Sequence, residues 1–138
     1  MNKLIIMKNI LFTLALLISV VSFGQTATEY FKSGYDKAAA KDYYGAISDY
    51  NKSIEINPNN ADAYYNRGIS KSDLKDYYGA ISDYTKAIEL DPNYASAYTN
   101  RGISKELIGD LTGACADWKK AASLGSSDSA KWVANQCN

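Results

Sequence analysis

Four side chains stand out as able to do chemistry: Cys115, Cys137, Arg67 and Arg101. Two cysteines make an even count, which in an exported chain suggests a disulfide, against the alternative of two free buried thiols. They do not suggest a metal site. Two thiolates in a chain with no histidine fall short of the four ligands a structural zinc needs. The missing histidine also removes the commonest general base. Gly-x-x-x-x-Gly-Lys and Gly-x-Ser-x-Gly signatures are absent, and the 15 acidic residues are spread along the chain rather than clustered. No cofactor is expected. The two arginines lie 34 residues apart. That interval recurs throughout the chain.

The elements that position these residues begin with an atypical N-terminus. Lys3 and Lys8 precede an apolar run, Ile10 to Val21, and Ser22-Phe23-Gly24 follows with small residues one and three places before a cut. This is the layout of a secretory signal peptide over residues 1–24, with Gln25 opening the mature chain. The alternative is an uncleaved anchor, but a run of about a dozen apolar residues is short beside the ~20 that a membrane-spanning helix needs. Met7 is a second candidate start, since Met7-Lys8-Asn9 and the apolar run form a complete signal. The expectation is an exported protein, periplasmic or secreted, with no membrane span after cleavage. Removing 1–24 takes two lysines and no acid, leaving 13 basic against 15 acidic residues. A mildly acidic surface without a basic cluster argues against nucleic acid.

Past the leader the chain repeats. Asp42-Tyr-Tyr-Gly-Ala-Ile-Ser-Asp-Tyr-Asn-Lys-Ser-Ile-Glu-Ile56 returns as Asp76-Tyr-Tyr-Gly-Ala-Ile-Ser-Asp-Tyr-Thr-Lys-Ala-Ile-Glu-Leu90, with three of 15 positions changed. Asn66-Arg67-Gly68-Ile69-Ser70-Lys71 returns as Asn100-Arg101-Gly102-Ile103-Ser104-Lys105, again 34 residues on. A more worn copy runs through Asp110, Gly113-Ala114, Asp117-Trp118 and Lys120-Ala121. Apolar residues at helical spacing predict two antiparallel helices in each unit. Asn57-Pro58 and Asp91-Pro92 stop the second helix, because proline lacks an N–H and disfavours helix in the residue before it.

With this period and these residues the chain resembles the tetratricopeptide repeat family. Three units are set at 27–60, 61–94 and 95–128. The family's first aromatic matches Tyr30, Tyr64 and Tyr98; its glycine, Gly34, Gly68 and Gly102; its small residue opening the second helix, Ala46, Ala80 and Ala114. The next aromatic is Tyr50, Tyr84 and Trp118, the second small residue Ser53, Ala87 and Ala121, and the closing proline Pro58 and Pro92, with Ser126 as the departure. The glycines and alanines are small where two helices should cross closely, and most of the 12 tyrosines fill the core around them.

The resemblance implies an all-α fold: a right-handed superhelix of three helical hairpins. Extending the register, Tyr98 plus one period is Trp132, so 129–138 reads as a capping helix, with Trp132 and Val133 covering the open end and Ser127 or Asp128 at its N-cap. Because successive helices run antiparallel, Cys137 should lie near Cys115, and their bond would pin the cap. Arg67 and Arg101 hold a place that is usually apolar in the family, where the first unit has Ser33. The expected partners are the aspartates of the preceding second helix, Asp49 for Arg67 and Asp83 for Arg101, against the alternative of an exposed, ligand-binding arginine.

The family binds peptides along the concave face of its first helices. Here that groove carries Phe31 and Tyr35 from the first unit, Asp62, Tyr65, Ile69 and Asp73 from the second, and Thr99, Ile103, Glu106 and Leu107 from the third. Apolar patches mixed with acids suit a segment with apolar side chains and a basic residue or two. Some of these apolar groups could instead pack only against neighbouring units. One subclass grips the C-terminal carboxylate of chaperone tails through lysine and asparagine at positions 5 and 9 of the first repeat. It adds lysine and arginine at positions 2 and 6 of the third. Phe31, Tyr35, Ser96 and Asn100 stand there, and only Asn66 fits, so that ligand is not implied. The expected function is a non-enzymatic scaffold for a protein or peptide partner. Alternatives are an envelope chaperone of broad specificity, and a regulator or small enzyme using an acid pair.

Overall fold

The computed structural model describes residues 2–137, the side chains of 9–25 excepted. Its helices are α1 (Lys3–Ala39), α2 (Tyr43–Ile56), α3 (Ala61–Asp73), α4 (Tyr77–Leu90), α5 (Ala95–Leu107), α6 (Leu111–Ser123) and α7 (Ser127–Gln136). No strand occurs among the described residues. The apolar core of the expected leader and its cut after Gly24 fall on side chains outside the described residues. Among the described residues no helix is long and apolar enough to cross a membrane.

Each second helix starts the same way. Asp42, Asp76 and Asp110 accept from the backbone N–H groups of Gly45, Gly79 and Gly113 at 3.0, 2.9 and 2.9 Å. These caps satisfy donors that the helix cannot. The turn before each cap needs a left-handed residue: Lys41 (φ 63°), Lys75 (φ 65°) and Gly109 (φ 88°), one period apart. At the other end Asn57 and Asp91 leave the helix with extended backbone ahead of their prolines.

Helices α1–α2, α3–α4 and α5–α6 form the hairpins. α2–α3 and α4–α5 join them, and α1, α3 and α5 also touch in turn along an inner wall, giving the right-handed superhelix. The core is the repeated register. Ala46, Ala80 and Ala114 are fully buried, and beside them lie Tyr50, Tyr84 and Trp118. Residues 16 apart meet across each hairpin. A Cβ added to Gly68 would stand 2.7 Å from the Tyr84 ring, and one on Gly102 would stand 2.4 Å from Trp118 Nε1. Glycine is the only residue that lets these rings in.

The cap starts slightly earlier than expected. Gly125 (φ 100°) ends α6, and the N-cap of α7 is Ser126, whose Oγ accepts from Ser129 N. Trp132 lies on Trp118 with ring centroids 5.3 Å apart. Cys115 and Cys137 are bonded, their Cα atoms 5.6 Å apart.

Candidate functional site

The 16-residue spacing corrects the expected ion pairs. Arg67 does not reach Asp49; it pairs with Asp83 of its own hairpin, Nε to Oδ2 at 2.9 Å and Nη2 to Oδ1 at 2.6 Å. Arg101 likewise pairs with Asp117 rather than Asp83, at 2.9 and 2.6 Å. The physical reason is that position 7 of the first helix stands next to the glycine that meets the ring of its own second helix, so its side chain reaches the aspartate that precedes that ring. The remaining nitrogen, Nη1, does reach the preceding helix, where it donates to Asn51 Oδ1 (2.7 Å) or Thr85 Oγ1 (3.0 Å). Lys71 and Lys105, one turn on, add contacts to the same carboxylates at 2.8 Å each. Asp83 and Asp117 are buried and so fully compensated. These arginines tie the two helices of each hairpin together.

In the first unit Ser33 Oγ (2.6 Å) and Lys37 Nζ (2.7 Å) both reach Asp49 Oδ2. Burial alone pushes the Asp49 carboxyl up, but these two hydrogen bonds and the nearby lysines outweigh it and hold the group below the usual carboxylate range.

On the inner wall, α3 and α5 bring Ile69, Asp73 and Ile103 together with Ser72, Tyr84 and Asn100 around a depression of about 230 Å³. Tyr65 borders it: its hydroxyl accepts from Asn100 Nδ2 at 3.0 Å, and its ring lies 5.8 Å from that of Tyr84. Burial pushes the Tyr65 phenol up, and hydrogen bonds with Ser96 and Asn100 pull the other way. Asp62 is exposed but engaged, accepting from Tyr94 Oη at 2.7 Å. Burial and that same bond to a carboxylate push the Tyr94 phenol far up.

The other expected groove residues lie apart from this depression. Phe31 is half-buried against Tyr50, 5.8 Å between centroids. Tyr35, Glu106 and Leu107 are exposed. Thr99 faces the cap: its Oγ1 lies 2.9 Å from Ser129 Oγ and 3.4 Å from that of Ser126, beside a polar cleft of about 330 Å³. Among the described residues no group of His, Cys, Asp or Glu could hold a metal ion.

Tyr94 was absent from the expected groove. It stacks on Tyr65 at 4.8 Å and anchors Asp62. Its signal lay in the period. One unit earlier the position is Asn60, whose side chain caps α3, whereas Tyr94 makes no side-chain cap for α5. The second unit gives up a capping hydrogen bond and gains a ring on the inner wall.

Three family models match the chain: a TPR repeat over 34–71 and tetratricopeptide repeats over 61–94 and 83–116. No match is found among curated proteins. Among solved structures the chain is similar to the Arabidopsis OM64 TPR domain (26% identity, 82% of this chain and 94% of that one, TM-score 0.78). It is also similar to the second TPR of Spaghetti (RPAP3) bound to the HSP90 peptide SRMEEVD (29%, 73% and 94%, TM-score 0.71). A third likeness is to the yeast Sti1 TPR2B domain in its pHsp70 complex (25%, 82% and 97%, TM-score 0.77).

Proposed function

The chain belongs to the tetratricopeptide repeat family, and from that membership we propose that it is a non-enzymatic scaffold holding a segment of another protein in its concave groove. The observation that carries this reading is the depression between α3 and α5. Ile69 and Ile103 offer apolar contact, Asn100 and Ser72 can hydrogen-bond a peptide backbone, and Asp73 adds a negative charge at the edge. Similar solved domains are seen with peptides from HSP90 and Hsp70. The guest of this chain is a different one. With Phe31, Tyr35, Ser96 and Asn100 in place of the cationic carboxylate grip, and with Asp62, Asp73 and Glu106 along the wall, the groove favours an internal segment bearing apolar and basic side chains.

We place the protein outside the cytoplasm, periplasmic or secreted. The leader-like residues 1–24 support this, and so does a Cys115–Cys137 bond that needs an oxidising compartment to persist.

Peptides selected from a random display library against the chain, then titrated by fluorescence anisotropy, test the groove. Replacing Ile69 and Ile103 together by alanine removes two half-buried aliphatic contacts and should weaken selected peptides at least tenfold, about 1.4 kcal/mol. The exposed Tyr44→Ala, at the start of a second helix, serves as the control. Peptides that bind the double variant unchanged overturn the assignment.

A further inference from the structure

The first hairpin lacks a part that the other two possess. Asp83 and Asp117 each take a guanidinium fork, with Nη2 on Oδ1 at 2.6 Å. Asp49, just as buried at 5% exposure, has Ser33 in the place of the arginine. Ser33 and Lys37 both donate to its Oδ2, and among the described residues no side chain donates to Oδ1. Serine ends where the arginine stem begins. Beside it opens a cleft of about 440 Å³ lined by Glu29, Lys32, Ser33, Asp36, Lys37 and Ala40.

The charge around this slot has also shifted in the negative direction. At the register of the buried Ala63 and Ala97 stands exposed Glu29, and at that of the buried Ser70 and Ser104 stands exposed Asp36. The second unit sets Arg67 and Lys71 against Asp83, one positive charge in excess. In the first unit Lys32, Lys37 and Lys52 stand against Glu29, Asp36 and Asp49, and the positive excess is gone. An array end needs a polar outer face for solubility, but an arginine at position 33 would supply that equally well. Its loss, together with two added carboxylates, leaves a site complementary to a guanidinium.

We propose that this end of the array receives an arginine side chain of a partner polypeptide, its guanidinium lying over Asp49 as those of Arg67 and Arg101 lie over Asp83 and Asp117. The lysine that shares the aspartate in the other hairpins, at 2.8 Å in each, shows that an ammonium and a guanidinium fit together there. The planar fork matches a carboxylate in a way that a second ammonium does not. The guest's outer nitrogen, which in Arg67 and Arg101 donates to the preceding helix, would face the partner itself. This site is separate from the groove and does not depend on it.

The test is an NMR titration of the chain with N-acetyl-arginine amide and, separately, N-acetyl-lysine amide, following the backbone amides of Ser33, Lys37 and Asp49. The arginine probe should give saturable shifts at millimolar concentration, and the lysine probe should bind at least tenfold more weakly. Ser33→Arg fills the slot from within and should abolish the response while the fold is kept. Arg67→Ser should open a second slot, with new shifts around Asp83. Absence of saturation, equal response to both probes, or shifts that persist in Ser33→Arg would reduce this face to a solubilising one and overturn the proposal.

Discussion

Arg67 and Asp83 meet in two parallel hydrogen bonds across the second hairpin, 2.9 and 2.6 Å, on side chains only 17% and 4% exposed. A pair this dry is costly to break from one side, because the survivor keeps its charge without a partner. Arg67→Ala should lower unfolding free energy by about 2–4 kcal/mol in urea titrations. A double-mutant cycle of Arg67 with Asp83 should give a coupling of about 1–3 kcal/mol, while the same cycle with Asp49 stays near zero. Coupling to Asp49 instead would mean that the hairpins register differently.

The Cys115–Cys137 bond closes a span of 22 residues between α6 and the end of α7. Cys115→Ser with Cys137→Ser should cost about 3 kcal/mol, largely through the unfolded chain. The loss should show first at the cap. The packing of Trp132 on Trp118 makes tryptophan fluorescence the reporter, and its transition should precede the loss of helical circular dichroism. Coincident transitions would show that α7 is held by its packing alone.

Much of this was legible in the residues. The period marked Gly68 and Gly102 as sites of close crossing and Tyr84 and Trp118 as core around them, while the contact of each glycine with its ring comes from the hairpin geometry. The arginine partners were not legible. Identical aspartates stand at 49, 83 and 117, so Arg67 has one 18 residues behind and one 16 ahead, and the pattern fits both. Hairpin geometry decides between them. The groove was partly legible for a similar reason. Register places Thr99 on the inner wall, but the cap supplies Ser126 and Ser129 as partners and occupies it. Tyr94 sits at a capping position, where a search confined to first-helix faces does not look.

Lys41 and Lys75 adopt the left-handed backbone that Gly109 adopts in the third unit. For a residue with a Cβ this conformation costs roughly 1–2 kcal/mol, partly offset by glycine's larger loss of entropy on folding. Lys75→Gly should therefore raise stability by about 0.5–1 kcal/mol, and Gly109→Ala should lower it by a similar amount. Thermal unfolding of both variants against the parent checks the pair of signs.

Tyr50 is fully buried and its hydroxyl finds no partner among the described residues. Burial pushes its phenol up from 10 to about 12. A folded value above the unfolded one means full stability below pH 10, lost as the pH rises from 10 towards 12. Tyr50→Phe should be nearly neutral or slightly stabilising at pH 7, since it deletes an unsatisfied polar atom, and should make the alkaline loss shallower. It should not abolish that loss, because Tyr65, Tyr84 and Tyr94 are raised as well. On the acid side the sign reverses: Asp49, held low, contributes stability above about pH 4 and loses it as the pH falls further. Chemical unfolding across pH 2 to 12 measures both limbs.

Peptides ending in the acidic chaperone sequence, such as the SRMEEVD seen with a similar domain, should not bind this groove. The reason is electrostatic. A C-terminal carboxylate, two glutamates and an aspartate would approach a wall bearing Asp62, Asp73 and Glu106, and Phe31, Tyr35 and Ser96 supply no cation to offset them. Asn100 could still donate, but its amide already bonds to Tyr65 Oη at 3.0 Å. Anisotropy titrations at low salt, where charge effects are largest, should show no saturation below about millimolar peptide. Replacing the acids of the same peptide by lysine should improve binding. Tight binding of the acidic peptide would locate its carboxylate on cations outside the inner wall, and Asp73→Lys would then leave it unchanged rather than strengthen it.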